Sequence, residues 1–207
     1  VFISKHFYRN KYDYRVEWLR FVRTLSSPEE PDVRHTAVRA IAQIFSSPQG
    51  LLFLYDEPRL NFVPIAAWPS DSDALANARP VSIAADLPQF LKRTKWIIDL
   101  SELRESPDVY GNIVVPDWLH SARDLRVVAP LLQLDEVVGF VCLYDPPPPF
   151  ELTYEDRDLL KTVGRHVATH IAQQDASRRL AESRQFEAYN RLTAFMMHDL
   201  KNSVAQL

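Results

Sequence analysis

The residues best suited to chemistry lie close together near the end of the chain: His198, Asp199 and Asn202. A neutral imidazole keeps a lone pair near physiological pH, so a histidine can act as a nucleophile. The adjacent carboxylate of Asp199 can accept or orient the ring proton and thereby select the attacking nitrogen. Asn202 follows one helical turn later, on almost the same side. The pattern predicts a solvent-facing, reactive histidine.

The helix predicted to carry these residues has one apolar side. At about 3.6 residues per turn, the apolar residues of the segment 186–207 fall together, and His198 falls on the opposite side. The apolar side is formed by Tyr189, Leu192, Met196, Leu200, Val204 and Leu207. We expect the helix to bury this side and to expose the imidazole. An ordinary solvated histidine is the alternative interpretation.

The composition indicates a folded domain and excludes several classes of function. The chain has 207 residues, of which 46% are hydrophobic, enough for a packed core. A net charge of -3 provides no bulk attraction to nucleic acid, so no nucleic-acid partner is expected. The single cysteine, Cys142, excludes an internal disulfide framework. Its apolar surroundings favour a buried strand residue over a site of chromophore attachment.

The two ends of the chain predict a part of a longer protein. The sequence starts without methionine and stops within a helical pattern. No run of about 20 apolar residues predicts a membrane span, and the start does not resemble a signal peptide. Residues 1–12 interleave basic and aromatic side chains. They fit either a juxtamembrane segment or the start of an amphipathic helix.

Hydrophobic periodicity predicts an α+β fold. Apolar runs bounded by turn residues indicate strands, and spacing of three and four residues indicates helices. The predicted strands are 51–55, 60–68, 96–99, 125–132 and 136–144. The predicted helices are 14–25, a second that starts at Ser27-Pro28-Glu29-Glu30 and continues to Phe45, 84–93, and one that opens at Thr153. Residues 69–82 are predicted to form a loop.

The segment 101–124 has no clear period apart from a helical turn at 117–120. Long irregular stretches in compact domains often face ligands. Tyr110, Trp118, His120 and Arg123 are therefore candidates for lining a pocket. The alternative is that the aromatic residues close a small core and the charged residues surround its rim.

The last helix is predicted to be unusually long. Thr153 and Asp156 form a capping box, and no proline follows them. Residues 173–185 are mostly polar, and apolar spacing resumes at Phe186. Such a polar stalk is most stable when it pairs with a second copy, so the sequence predicts a homodimer through the C-terminal helix.

Two stretches resemble the C-terminal half of a GAF domain. They run from Ala129 through Gly139 to Tyr144, and from Phe150 through Asp156 to Leu160. That family commonly shows Pro-Leu, a turn, a glycine in the next strand, then Phe, Thr, an acid and Leu-Leu at the start of a helix. The resemblance implies an antiparallel sheet with flanking helices. It places a GAF sensor domain at residues 13–172, a coiled-coil stalk at 173–185, and the N-terminal segment at 1–12.

The segment from His198 to Asn202 resembles the H-box of histidine kinases, in which an acid and then Asn or Thr follow a helical histidine. Residues 186–207 would then begin a dimerisation and histidine phosphotransfer domain. Many H-boxes have proline directly after the Asn or Thr, whereas Ser203 stands there in this chain. No proline kink is therefore expected. Together with residues 1–12, this segment is most similar to the membrane histidine kinases of the PEP-CTERM/exosortase system.

This resemblance implies a two-component histidine kinase that is controlled through the GAF domain. His198 would attack ATP, Asp199 would orient its ring, and Asn202 would position a water that dephosphorylates a response regulator. ATP and Mg²⁺ are expected for the full-length kinase, but this part has no phosphate-binding loop and should be inactive alone. It would be the cytoplasmic portion of a bacterial inner-membrane protein. The alternatives are a non-catalytic dimeric GAF module, with an unknown small ligand, and a purely structural stalk.

Overall fold

The computed structural model describes the backbone of residues 14–25, 32–148 and 150–204. Side chains are described at residues 16, 18–25, 32–148 and 150–197. Within these ranges the protein has an α+β fold, in which an antiparallel sheet is flanked by helices and followed by one long helix. The fold class that the sequence predicts is confirmed.

The elements agree with most of the predicted ones. The strands are β1 Gly50–Asp56, β2 Asn61–Trp68, β3 Val81–Ser82, β4 Ile98–Asp99, β5 Leu125–Gln133 and β6 Glu136–Tyr144. The helices are α1 Tyr14–Leu25, α2 Val33–Ile44, α3 Ala74–Asn77, α4 Asp86–Thr94, α5 Leu100–Glu105, α6 Asp117–Ser121 and α7 Tyr154–Val204. Two short 3-10 turns are Glu57–Arg59 and Pro107–Tyr110.

The six strands form one sheet in the order β3-β2-β1-β6-β5-β4. Strands that follow each other in the chain form the antiparallel pairs β1–β2 and β5–β6. The first and last long strands, β1 and β6, then pair at the centre, where Phe53 lies opposite Phe140. This long-range pairing closes the sheet and brings the two halves of the domain together.

Both faces of the sheet are buried. Side chains of β6 alternate between the faces, as the two-residue period of a strand requires. Phe140 and Cys142 belong to the core cluster that also contains residues of α4, α5 and α6. On the other face, an atom placed at the Cβ position of Gly50 would meet Val38 of α2 and Leu143 of β6. The sheet therefore lies between two helical layers.

Two glycines permit close backbone approaches. A Cβ at Gly139 would lie 2.3 Å from the backbone oxygen of Phe53 in the neighbouring strand. Gly139 therefore permits a close approach of the β1 and β6 backbones. A Cβ at Gly164 would lie 2.7 Å from the backbone oxygen of Pro130. Helix α7 thus packs against β5 with no side chain between their backbones.

The structure differs from the sequence predictions where elements are short or where another cap is used. Helix α2 starts at Val33, and the side chain of Asp32 accepts a hydrogen bond of 3.0 Å from the amide of Arg34. The predicted start at Ser27–Glu30 lies outside the described residues. The predicted loop 69–82 contains α3 and β3, and the irregular segment contains α5 and the Pro107–Tyr110 turn. None of these spans enough residues to show a hydrophobic period.

The chain divides into two compact units, one ending at Thr169 and the other beginning at His170. The first unit contains the sheet. In the second unit, every side chain from Ala176 to Met197 is exposed. No helix among residues 14–25, 32–148 and 150–204 is long and apolar enough to cross a membrane. Residues 1–12, which fit a juxtamembrane segment or the start of an amphipathic helix, lie outside the described residues.

Candidate functional sites on the long helix

Helix α7 begins at the capping box that the sequence predicts. The amide of Thr153 donates to Oδ2 of Asp156 over 2.9 Å, and the amide of Asp156 donates back to Oγ1 of Thr153 over 3.2 Å. Asp156 is only 1% exposed. Because both partners satisfy each other's backbone donors, the first turn of α7 has a defined start.

The next residue, Arg157, joins α7 to two other segments. Its Nη2 donates to Oε2 of Glu102 in α5 over 2.8 Å, and its Nη1 donates to the backbone oxygen of Ile97 over 2.6 Å. The Tyr110 hydroxyl donates to the same Glu102 carboxylate and accepts a 3.0 Å hydrogen bond from the amide of Asp99. We call Arg157, Glu102, Tyr110 and Asp99 the base cluster.

Asp99 links the base cluster to the sheet. Its Oδ1 accepts from the amides of Ser101 and Glu102 and so caps α5. Arg126 of β5 holds the same carboxylate with two nitrogens, Nε at 2.9 Å from Oδ1 and Nη2 at 3.1 Å from Oδ2. The Arg126 and Asp99 side chains are 17% and 7% exposed. Of these two nitrogens only Nη2 makes a hydrogen bond to the carboxylate, and the contact at Nε is an ion pair without one.

Trp96 lies beside the base cluster. The guanidinium carbon of Arg157 lies 5.6 Å from the centre of its indole ring, and Nζ of Lys161 lies 4.3 Å from the same centre. Both distances are within the range of cation–π attraction. Two cations one turn apart on α7 therefore contact a single aromatic ring of the sheet domain.

The electrostatics of the base cluster favour a neutral phenol and a charged guanidinium. Burial, and then the hydrogen bond to Glu102, raise the pKa of Tyr110. Burial lowers the pKa of Arg157, but its hydrogen bonds to Tyr110 and Glu102 outweigh that effect and leave the pKa raised. At physiological pH the phenol is therefore a donor and the guanidinium is an ion-pair partner.

The residues suggested for a pocket in the irregular segment do not form one site. Tyr110 is 1% exposed and belongs to the core cluster, where its ring centre lies 5.8 Å from that of Phe90. Trp118 is half-buried and stacks on Phe53 at 5.6 Å. His120 and Arg123 are exposed. The aromatic residues close the core, as the alternative interpretation held.

An open groove of about 190 Å³ lies on the outer side of this region. It is lined by Asp86, Gln89, Phe90, Arg93, Gly111 and Ile113. Oδ2 of Asp86 already accepts a hydrogen bond of 2.9 Å from the amide of Val114. Among the described side chains, no three His, Cys, Asp or Glu residues come together as ligands for a metal ion.

Of the remaining candidate residues, Cys142 is buried in the sheet, and the other three belong to α7. Cys142 is fully buried, so the interpretation as a core residue is confirmed. The backbone of α7 is helical through Val204 and therefore includes His198, Asp199 and Asn202. Their side chains lie outside the described residues, and their predicted roles stay predictions.

Sequence reasoning missed the base cluster. Arg157 and Glu102 are 55 residues apart in the sequence. The four members of the cluster come from β4, α5, a 3-10 turn and α7. The available signal was an arginine directly after a capping box, but nothing in the sequence identified its acidic partner.

One antiparallel sheet between helical layers, followed by a long helix, defines an α+β architecture. A family model described as "GAF domain" matches residues 30–173. The chain belongs to the GAF domain family. No curated protein sequence matches the chain.

Solved structures of low sequence identity share this fold. The GAF domain of the phosphoenolpyruvate-protein phosphotransferase of Coxiella burnetii is 14% identical, with a TM-score of 0.63, covering 82% of this chain and 99% of that one. The corresponding Acinetobacter domain is 15% identical, with a TM-score of 0.58 and coverages of 80% and 96%. The chromophore-binding domain of a Stigmatella aurantiaca bacteriophytochrome is 14% identical, with a TM-score of 0.50 and coverages of 79% and 62%. At these identities the similarity shows the fold.

Proposed function

We propose that this chain is the sensory and phosphoacceptor part of a two-component histidine kinase, with His198 as the phosphorylated residue. One observation carries the proposal: the segment from His198 to Asn202 lies within α7, the same unbroken helix that begins at the capping box of the GAF domain. A continuous helix shared by a sensor domain and a reactive histidine is a physical route for control.

The residues of the motif have separate roles in the proposed reaction. A ring nitrogen of His198 forms a bond to the γ-phosphorus of ATP, the bond to the bridging oxygen breaks, and ADP leaves. Asp199 orients the ring and accepts the proton of the other ring nitrogen. Asn202 positions the water that later removes phosphate from the response regulator. The ATP-binding groups and Mg²⁺ belong to the rest of the full-length kinase.

A homodimer through α7 is part of the proposal. Large apolar side chains are exposed along the second unit, with Phe186 at 66%, Tyr189 at 66%, Leu192 at 59% and Met196 at 57%. Three of these, Tyr189, Leu192 and Met196, fall on one side of the helix at the spacing of a helix–helix contact. A second copy of the same helix covers such a stripe symmetrically.

The proposed class, a two-component histidine kinase, also implies a cellular location and partners. We assign the chain to the cytoplasmic portion of a bacterial inner-membrane kinase, with a response regulator as its phosphotransfer partner and a small ligand or a protein as the signal for the GAF domain. Within this class, the segments 1–12 and 186–207 favour the membrane histidine kinases of the PEP-CTERM/exosortase system.

The test is phosphate labelling of defined histidines. The chain is fused to the ATP-binding domain of a histidine kinase, incubated with labelled ATP and Mg²⁺, and compared with His198→Ala and His120→Ala. His120 is an exposed histidine of the GAF domain and serves as the matched control. We expect acid-labile label in the parent and in His120→Ala, and a loss of at least about tenfold in His198→Ala, since the attacking nitrogen is removed.

Undiminished label in His198→Ala would rule out the proposed phosphoacceptor. A parent that takes up no label would favour the second function, a non-catalytic dimeric GAF module that binds a ligand or transmits a signal. Native mass spectrometry of freshly purified protein then distinguishes a ligand-binding module from one that only transmits a signal, because it reports a retained ligand and the oligomeric state together.

A further inference from the structure

The base cluster connects parts of the GAF domain that are separate in the sequence. Tyr110 lies in the 3-10 turn after α5, packed in the core between the sheet and the helices α4 to α6. Arg157 lies in the first turn of α7. Glu102 of α5 contacts both, since it accepts from the Tyr110 hydroxyl and from Nη2 of Arg157.

The bonds in this cluster depend on one another. The Tyr110 hydroxyl both accepts from the amide of Asp99 and donates to Glu102, and Nη1 of Arg157 lies 3.5 Å from it. Tyr110 is 1% exposed, and the Arg157 side chain is 11% exposed. The Glu102 side chain between them is 41% exposed, so the cost of a lost partner falls on Tyr110 and Arg157, which water reaches poorly. Moving the turn therefore removes the Tyr110 hydroxyl from Nη1 of Arg157 and from the Glu102 carboxylate that Arg157 binds, and so changes the polar surroundings of α7 as well.

The cluster is also a polar connection between this face of the sheet and α7. On the opposite face, α7 approaches β5 through the backbone, where a Cβ at Gly164 would lie 2.7 Å from the backbone oxygen of Pro130. The side chain of Arg157 reaches past the strand edge to Glu102 and to the backbone of Ile97. Displacement of α5 and the Pro107–Tyr110 turn thus acts on the first turn of α7 through hydrogen bonds with defined directions.

We propose that Tyr110, Glu102 and Arg157 form a coupling latch, through which the position of the Pro107–Tyr110 turn sets the stability of the first turns of α7. The latch is a regulatory device within the GAF domain. It is independent of the proposed kinase function, because it concerns contacts of residues 97–165 alone and holds whether or not His198 accepts phosphate.

Hydrogen exchange of the backbone amides tests the latch on the chain as it stands. The variants are Tyr110→Phe, which removes only the hydroxyl, Arg157→Met, which keeps an apolar stem, and the double variant. We expect Tyr110→Phe to raise exchange about tenfold at residues 158–162, although Tyr110 is not part of α7, because coupling energies between linked sites are typically of this size. The double variant should exchange no faster than the faster single variant, as members of one network are not additive.

Arg104→Met is the matched control. Arg104 is also a half-buried arginine, and it lies in α5, but its Nη2 donates to the backbone oxygen of Ala122 over 2.8 Å and not to α7. This variant should raise exchange near residue 122 and leave residues 158–162 at the parent rate.

Two results would overturn the proposal: an unchanged rate at residues 158–162 in Tyr110→Phe, or rates in the double variant that are the product of the single effects. Amides of β1 and β6 serve as the reference for global unfolding. If Tyr110→Phe also raises exchange in β1 and β6, global unfolding contributes, and Glu102→Gln is then the deciding variant. Glutamine keeps the shape of the Glu102 side chain and weakens only its charge-assisted hydrogen bonds. The latch then requires faster exchange at residues 158–162 with β1 and β6 unchanged, and any other pattern contradicts it.

Discussion

Two weakly acidic side chains of β6 lie where their charged forms are disfavoured. Cys142 is fully buried, and burial raises the pKa of its thiol far above the usual value. Tyr144 ends the same strand. Burial, followed by the negative charge of Asp124, raises the pKa of its phenol to about 12. A thiol that stays neutral is a poor nucleophile, which agrees with a packing role for Cys142.

Tyr144 makes the stability of the domain depend on alkaline pH. Its pKa in the folded protein, about 12, lies above the ordinary value of 10.0. Between these values the unfolded chain releases a proton that the folded chain keeps, so stability is present below pH 10.0 and is lost as the pH rises toward 12. We expect the free energy of unfolding of Tyr144→Phe to fall less steeply over this range, measured by urea unfolding at a series of pH values.

The control for this experiment is Tyr154→Phe, which changes a side chain that is 72% exposed. It should keep the slope of the parent. Tyr110, whose pKa is also raised by burial, contributes equally in the parent and in both variants. A Tyr144→Phe protein with the parent's slope would show that this phenol is not protected by the fold.

At the scale of elements, the contact between α7 and β5 overrides helix propensity. Replacing glycine by alanine within an exposed helix stabilises it by about 1 kcal/mol. At Gly164 the added Cβ would lie 2.7 Å from the backbone oxygen of Pro130, which cannot rotate away. We expect Gly164→Ala to lower the free energy of unfolding by about 1–3 kcal/mol, the usual cost of overpacking, measured by urea denaturation.

Thr162→Ala is the comparison within the same helix. Thr162 is exposed, and its hydroxyl donates to the backbone oxygen of Asp158 over 3.0 Å. Alanine there removes a residue of low helix propensity without a clash, so stability should stay the same or rise slightly. A gain in stability from Gly164→Ala would mean that α7 does not approach β5 as closely as the structure has it.

At the scale of the whole molecule, the proposed dimer depends on the apolar stripe of α7. Leu192 lies on this stripe and is 59% exposed in the single chain. Ala194 lies on the opposite side of the helix and is also exposed. We expect Leu192→Glu to convert the dimer to a monomer at micromolar concentration, since two buried like charges would face each other. Light scattering after gel filtration measures the mass.

Ala194→Glu introduces the same charge on the other side and should leave the dimer intact. The far-ultraviolet circular dichroism of both variants should match that of the parent, which separates loss of association from loss of helix. A Leu192→Glu protein that remains dimeric would move the interface away from this stripe.

Much of the fold could be predicted from the sequence because it depends on local patterns. The β5–β6 hairpin shows alternating or continuous apolar runs around a turn, and the capping box of Thr153 and Asp156 marks the start of α7. The elements that were missed, α3, β3, α5 and the Pro107–Tyr110 turn, are too short for a hydrophobic period to repeat within them.

The candidate histidine site and the base cluster differ in how they could be found. The motif from His198 to Asn202 is contiguous, so the sequence by itself determined its residues and its place on a helix. The partnership of Arg157 with Glu102 and Tyr110 was decided only by the tertiary structure. Residue periodicity encodes the faces of single elements, whereas contacts between distant residues depend on the order in which the strands pair. Here the pairing of β4 with β5, and the packing of α7 on β5, bring those residues together.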